Sequence, residues 1–133
     1  MHHRQLFFFQ ALVILLLGIL HVTAMHWALY WYFPWLDLLS HFLGGLWVAL
    51  MSMWLLAFVG LRTRIVSVAA VVITISILWE IFEWSTGIPR EANFVFDTSL
   101  DLVMDMSGGL LGFFLGRRMI QSLAYESTET HTS

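Results

Sequence analysis

The sequence predicts an all-α, polytopic membrane protein: a four-transmembrane-helix bundle with short loops. Three observations carry that expectation. Hydrophobic residues make up 59% of the 133-residue chain and charged residues only 11%. Soluble domains carry about 25% charged residues, so this surface is too poor in charge to face water throughout. Four apolar segments approach or exceed the roughly 20 residues that cross a bilayer. Within and beside these segments, the ionisable residues gather toward one end.

The first span runs from about Leu6 to Trp31. It follows Arg4 and closes among Trp27, Tyr30, Trp31, Tyr32 and Trp35, the composition of an interfacial aromatic belt. Arg4, the apolar run and Val22-Thr23-Ala24 also have the layout of a signal peptide; we read the segment as a span. The second span covers about Leu38 to Leu61, the third Ile65 to Trp84, and the fourth Ser99 to Leu115. Connections at Phe33–Asp37 and Arg62–Arg64 are short, which implies antiparallel neighbours. The connection from Ser85 to Thr98 is longer. Residues 1–118 thus form the transmembrane domain. Residues 119–133, polar and rich in Ser and Thr beyond Gln121, have little to bury and are expected to be disordered.

Arginine sets the orientation. Arg4, Arg62, Arg64, Arg117 and Arg118 fall on one side of the predicted path, and Arg90 on the other. The positive-inside rule makes the arginine-rich side cytoplasmic, with both termini there. The chain has no cysteine and a net charge of −3. That excludes disulfides and thiolate metal sites and argues against a nucleic-acid partner.

The carboxylates pose an energetic problem. Asp37 and His41 begin span two, spaced i, i+4 and followed by Gly44 and Gly45. Ser76, Glu80, Glu83 and Gly87 form one stripe at the end of span three. Asp97, Asp101 and Asp105 enter span four on one face. Gly108, Gly112 and Gly116 continue that face as a small-xxx-small pattern that admits a close helix. It is the expected bundle face and also a candidate homo-oligomer surface. A charge deep in a span costs about 2.5–3.5 kcal/mol, and Arg90, beside Glu91, cannot neutralise Asp37, Glu80, Glu83, Asp97, Asp101 and Asp105 together. Protonation, water or a bound cation must meet the deficit. A divalent metal held by these carboxylates and His41 does so directly: oxygen donors suit Mg, Mn or Ca, and a His admits Zn or Fe.

Plainer roles stand beside this one. Asp37 is suited to cap span two, and Asp97 or Thr98 to cap span four. His21 fits an interhelical hydrogen bond better than a metal. His26 and Glu83 fit the interface. Asp101, Asp105 and Glu80 lie deeper, where acids are functional candidates by default.

The motifs D37-L-L-S-H41-F-L-G44-G45, W79-E80-I-F-E83-W84 and D97-T-S-L-D101-L-V-M-D105-M-S-G108-G109 resemble, in order, the signatures of YjdF-like small bacterial inner-membrane proteins, which are distantly similar to VanZ-like proteins. The resemblance spans about residues 34–116. It implies a helical inner-membrane protein in which Asp37, His41, Glu80, Glu83, Asp97, Asp101 and Asp105 act as one set. It names no reaction.

Three functions follow as expectations. The first is a metal centre acting on a lipid or lipid-linked envelope substrate, with Glu80 and Asp101 as candidate catalytic groups and Arg90 as a contact for substrate phosphate. The second is an ion- or proton-transport element. The third is a structural hydrogen-bond network that fixes the bundle.

Overall fold

The computed structural model describes residues 3–86 and 94–129, with side chains over residues 4–86 and 94–120. Among these residues all regular structure is helical: α1 (His3–His26), α2 (Leu29–Tyr32), α3 (Trp35–Phe58), α4 (Ile65–Thr86) and α5 (Phe94–Glu129). The long helices α1, α3, α4 and α5 are each long and apolar enough to cross a membrane. Their outward faces carry large apolar side chains such as Leu16, Val22, Ile81 and Val103. A bilayer accepts such faces, and helices satisfy their own backbone groups within it.

The first span is shorter than its sequence suggests. It stops at His26, and Ala28 adopts a left-handed conformation with φ 54. A residue with a Cβ pays about 1–2 kcal/mol there, and nothing in an alanine among aromatics announces it. The chain turns into the short α2 instead of continuing to Trp31. Pro34 then opens α3. Phe33 before it is extended, as a residue preceding proline tends to be. Asp37 therefore lies inside the first turn of α3 and not at its cap, where Pro34 stands without a side-chain hydrogen bond. Its carboxylate still complements the positive end of the helix.

The helix of the fourth span, α5, exceeds that span at both ends. It begins at Phe94, so Asp97 and Thr98 lie within it and do not cap it. It also continues past Leu115, through Gln121, to Glu129, where the sequence led us to expect a disordered tail. At about 1.5 Å per residue, its 36 residues reach about 54 Å, well past a hydrocarbon layer of about 30 Å. Residues 87–93 of the connection from Ser85 to Thr98 lie outside the described residues.

α3 and α5 make the most extensive interface, although α4 separates them in sequence. α1 packs on α3, and α4 packs on α5 and α3; α1 and α4 do not pack on each other. The core gathers Leu46, Ala49, Leu50, Met53, Val68, Val72 and Phe113. The α3–α5 approach depends on glycine. A Cβ at Gly45 would overlap the carbonyl of Asp105, and one at Gly108 the carbonyl of Phe42. At Gly112 it would lie 2.7 Å from the Leu46 carbonyl oxygen. The stripe Gly108, Gly112, Gly116 is thus consumed inside the chain. It faces α3, and this corrects the expectation that it offers a surface to a second copy.

Overpacking a close helix contact costs about 1–3 kcal/mol. Gly45→Ala and Gly108→Ala should each lower thermal stability in detergent by at least that order, because the obstacle is backbone and cannot move aside. Gly18→Ala should be neutral or stabilising, since a Cβ at Gly18 meets nothing within 4 Å and glycine inside a helix costs about 0.5–1 kcal/mol relative to alanine. Thermal denaturation followed by circular dichroism separates the two cases.

Candidate functional site

His41 is the centre of the site. It projects from α3 one turn past Asp37, and the glycine contacts hold α5 close enough for Asp101 and Asp105 to reach it. The His41 Nδ1 donates to Asp105 Oδ2 at 3.2 Å. That bond places a proton on Nδ1 and turns Nε2 toward Asp101 and Asp37. Nε2 lies 3.8 Å from Asp101 Oδ1 and 4.0 Å from Asp37 Oδ1. Both distances are too long for hydrogen bonds. Asp101 is 2% exposed, and its Oδ1 is buried without a hydrogen-bond partner.

α4 supplies the opposite wall. Glu80 is buried, and its Oε2 accepts from Thr98 Oγ1 of α5 at 2.7 Å. Glu83, half-buried, accepts from the indole of Trp79 one turn earlier at 2.9 Å. Two ligand groups result, each with donor atoms within 4.8 Å of one another: Asp37, His41 and Asp101; and His41, Glu80 and Glu83. His41 belongs to both. Donors about 2.0–2.6 Å from a common ion lie about 3–5 Å apart, so these spacings fit a shared cation.

The predicted residues therefore divide. Asp37, His41, Glu80, Glu83 and Asp101 converge. Asp105 orients His41 from behind, as a carboxylate behind a ligating histidine does. Asp97 belongs to neither ligand group; it lines the mouth of the site with Glu80 and Glu83. Arg90 lies outside the described residues. The described arginines, at positions 4, 62, 64, 117 and 118, all belong to the opposite end of the bundle.

Two cavities meet at the site. One, of about 280 Å³, runs between α1 and α4 over α3 and reaches His41 and Asp105. The other, of about 360 Å³, is a vestibule framed by Tyr30, Trp31, Trp35, Glu80 and Asp97. His21, Asp37 and Glu83 line both.

The sequence did not reveal a hydrogen-bond chain beside this junction. His21 Nδ1 lies 2.9 Å from the Tyr30 hydroxyl, which lies 3.0 Å from Ser40 Oγ. Ser40 donates its proton to the Leu36 carbonyl. Each hydroxyl has one proton, so Tyr30 donates to Ser40 and His21 Nδ1–H donates to Tyr30. His21 thus makes a polar contact of the expected kind, and its tautomer is set. Only the reversal at Ala28 brings Tyr30 back to it. The Glu80–Thr98 bond was equally hidden, because it joins different helices. The Trp79–Glu83 bond was readable from i, i+4 spacing.

Burial, assisted by the nearby Asp37 and Glu83 carboxylates, raises the Tyr30 phenol above its ordinary value of 10.0, against a smaller opposing pull from its Ser40 hydrogen bond. Above pH 10 the unfolded chain releases this proton while the folded chain keeps it, so stability falls as pH rises. Thermal midpoints in detergent should decline as the pH rises above about 10, and Tyr30→Phe should flatten that decline. An unchanged slope in the variant would place the titration elsewhere.

A protein-family model described as "Predicted membrane protein (DUF2238)" matches residues 5–122. No curated protein and no solved structure gives a match. The matched segment takes in every membrane-spanning helix core and the whole His41 cluster. The chain belongs to the DUF2238 family of membrane proteins.

Proposed function

We propose that the chain binds a divalent metal at His41, Asp37 and Asp101, with Glu80 and Glu83 completing the donor set. The observation that carries this reading is the Asp101 Oδ1 atom, buried without a hydrogen-bond partner 3.8 Å from His41 Nε2. A buried carboxylate oxygen left so costs free energy unless a cation sits against it. A metal ion between Asp101 and Nε2 would remove that cost, and the Asp105 bond already presents the ring in the required tautomer.

In this reading the site works at the extracytoplasmic side of the bacterial inner membrane, both termini being cytoplasmic. The motifs that resemble YjdF-like proteins supply its residues. A bound metal would polarise a phosphoryl or carbonyl oxygen, or activate water. Glu80, held by Thr98, and Asp101 are the candidate catalytic groups, and both would hold that metal. The substrate class is a lipid or lipid-linked envelope precursor, because the site opens between helices as well as to the vestibule. Arg90 is the candidate contact for its phosphate.

Ion transport has less support. The core between the cluster and the arginine end is mainly apolar, built from Leu46, Ala49, Leu50, Met53, Val68 and Val72, with Gln10 accepting from the Trp47 indole at 2.9 Å. The hydroxyls of Ser52 and Thr74 donate to their own helix carbonyls, Val48 and Ala70.

Elemental mass spectrometry of the detergent-purified protein tests the metal. The wild type should carry about one divalent ion per chain, lost in His41→Ala and Asp101→Ala. Asp105→Asn should retain the site with about 10–100-fold weaker affinity. A folded wild type that stays metal-free after incubation with Mg, Mn, Zn and Ca would leave the structural network in its place.

A further inference from the structure

The cavity between α1 and α4 is unlike the rest of the bundle. Ile14, Leu17, Val48 and Ile75 make its walls almost wholly apolar, yet its end is His41, Asp37 and Glu83. α1 and α4 do not pack on each other along it. At the junction the His21 and Trp79 rings meet edge to face at 6.2 Å. Gly18 lies in the α1 wall, and a Cβ there would meet nothing within 4 Å. Close packing therefore does not explain this glycine. It leaves the groove wider than any side chain would.

A groove of this kind, at hydrocarbon depth and bounded by helices that stand apart, is filled from the bilayer. The charges at its end select the occupant. His21, Asp37 and Glu83 form the junction, and Glu80 and Asp97 extend the acidic wall into the vestibule. Among the described residues no arginine stands at this end. Such a wall complements an ammonium group and repels a headgroup with net negative charge.

We infer that the α1–α4 groove binds one chain of an amine-bearing membrane lipid, with its headgroup at the junction of His21, Asp37 and Glu83. The lipid enters sideways between α1 and α4, while the vestibule admits water to its headgroup. The headgroup would then lie beside the His41 donors, and its role as a substrate rests on the metal reading. Occupation of the groove does not.

The test uses the full chain in phosphatidylcholine vesicles doped with a phosphatidylethanolamine that carries a diazirine in its acyl chain, or with the matching phosphatidylglycerol. After photolysis, mass spectrometry maps the adducts. Leu17 and Ile75 should be labelled by the ethanolamine lipid at least fivefold more than Ile77 and Val103, which are exposed on the other face of α4 and on α5. The glycerol lipid should label them at least threefold less. Gly18→Phe should reduce groove labelling to the level of the outward residues. Ile75→Trp, which narrows the groove from α4, should do the same and guards against misfolding of the first variant. Groove labelling no greater than at Ile77 and Val103, or unchanged in both variants, overturns the proposal. Equal labelling by the two lipids overturns the choice of an amine headgroup. Metal content measured on the same samples separates the two ideas. Groove labelling without metal upholds the groove and rejects the metal; metal without groove labelling does the reverse.

Discussion

The close approach of α3 and α5 governs the rest of the structure. At Gly45 and Gly108 the two backbones meet with no room for a Cβ. Nothing else on these helices brings Asp101 and Asp105 to His41, because those side chains are short and the imidazole is fixed on its own helix. The same contact makes the core directly beneath the site dense and apolar. The polar centre is thus the upper end of a helix pair whose lower part is built mainly from apolar side chains. In a bilayer, helix association draws on packing and hydrogen bonding and not on hydrophobic exclusion, which suits an interface made of glycines below and the His41–Asp105 hydrogen bond above.

Around that pair the other helices have distinct tasks. α4 contributes the carboxylates of Glu80 and Glu83, each held by a donor, Thr98 and Trp79 respectively. α1 contributes little to the site directly. It holds His21 through Tyr30 and Ser40, and it stands away from α4. A site built only from α3, α4 and α5 would be a closed knot of acids. With α1 set apart, the site has one approach from the vestibule and another from the membrane.

Much of this was legible in the sequence, for reasons that can be named. Long apolar runs give the spans because a bilayer demands them. Spacings of three and four put Asp37 with His41, and Asp97, Asp101 and Asp105 on one line, because the helix repeat is fixed. The glycine pattern marked the buried face of α5, though not that α3 alone would fill it. What escaped was set by single backbone torsions and by contacts between helices. Ala28 in a left-handed conformation leaves no trace in hydropathy, so Tyr30 and Ser40 had no visible link to His21. Asp97 shares a face with Asp101 and Asp105 yet stops short of the cluster, because the line of α5 carries it to the mouth of the vestibule. Thr98 looked like a cap since Thr often is one. The helix starts earlier, and its hydroxyl turns to Glu80.

The pairing of α3 with α5 has a consequence for how the chain is made. Synthesis delivers the N-terminal spans first, so α3 reaches the membrane before its main partner exists. Until α5 follows, His41 and Asp37 lack Asp101 and Asp105, and the glycine groove of α3 faces lipid or α1. The last span is therefore the one that closes the structure. A nascent chain arrested before Asp101 would carry an exposed polar patch in the bilayer, the kind of feature by which a membrane protease or chaperone recognises an unfinished protein.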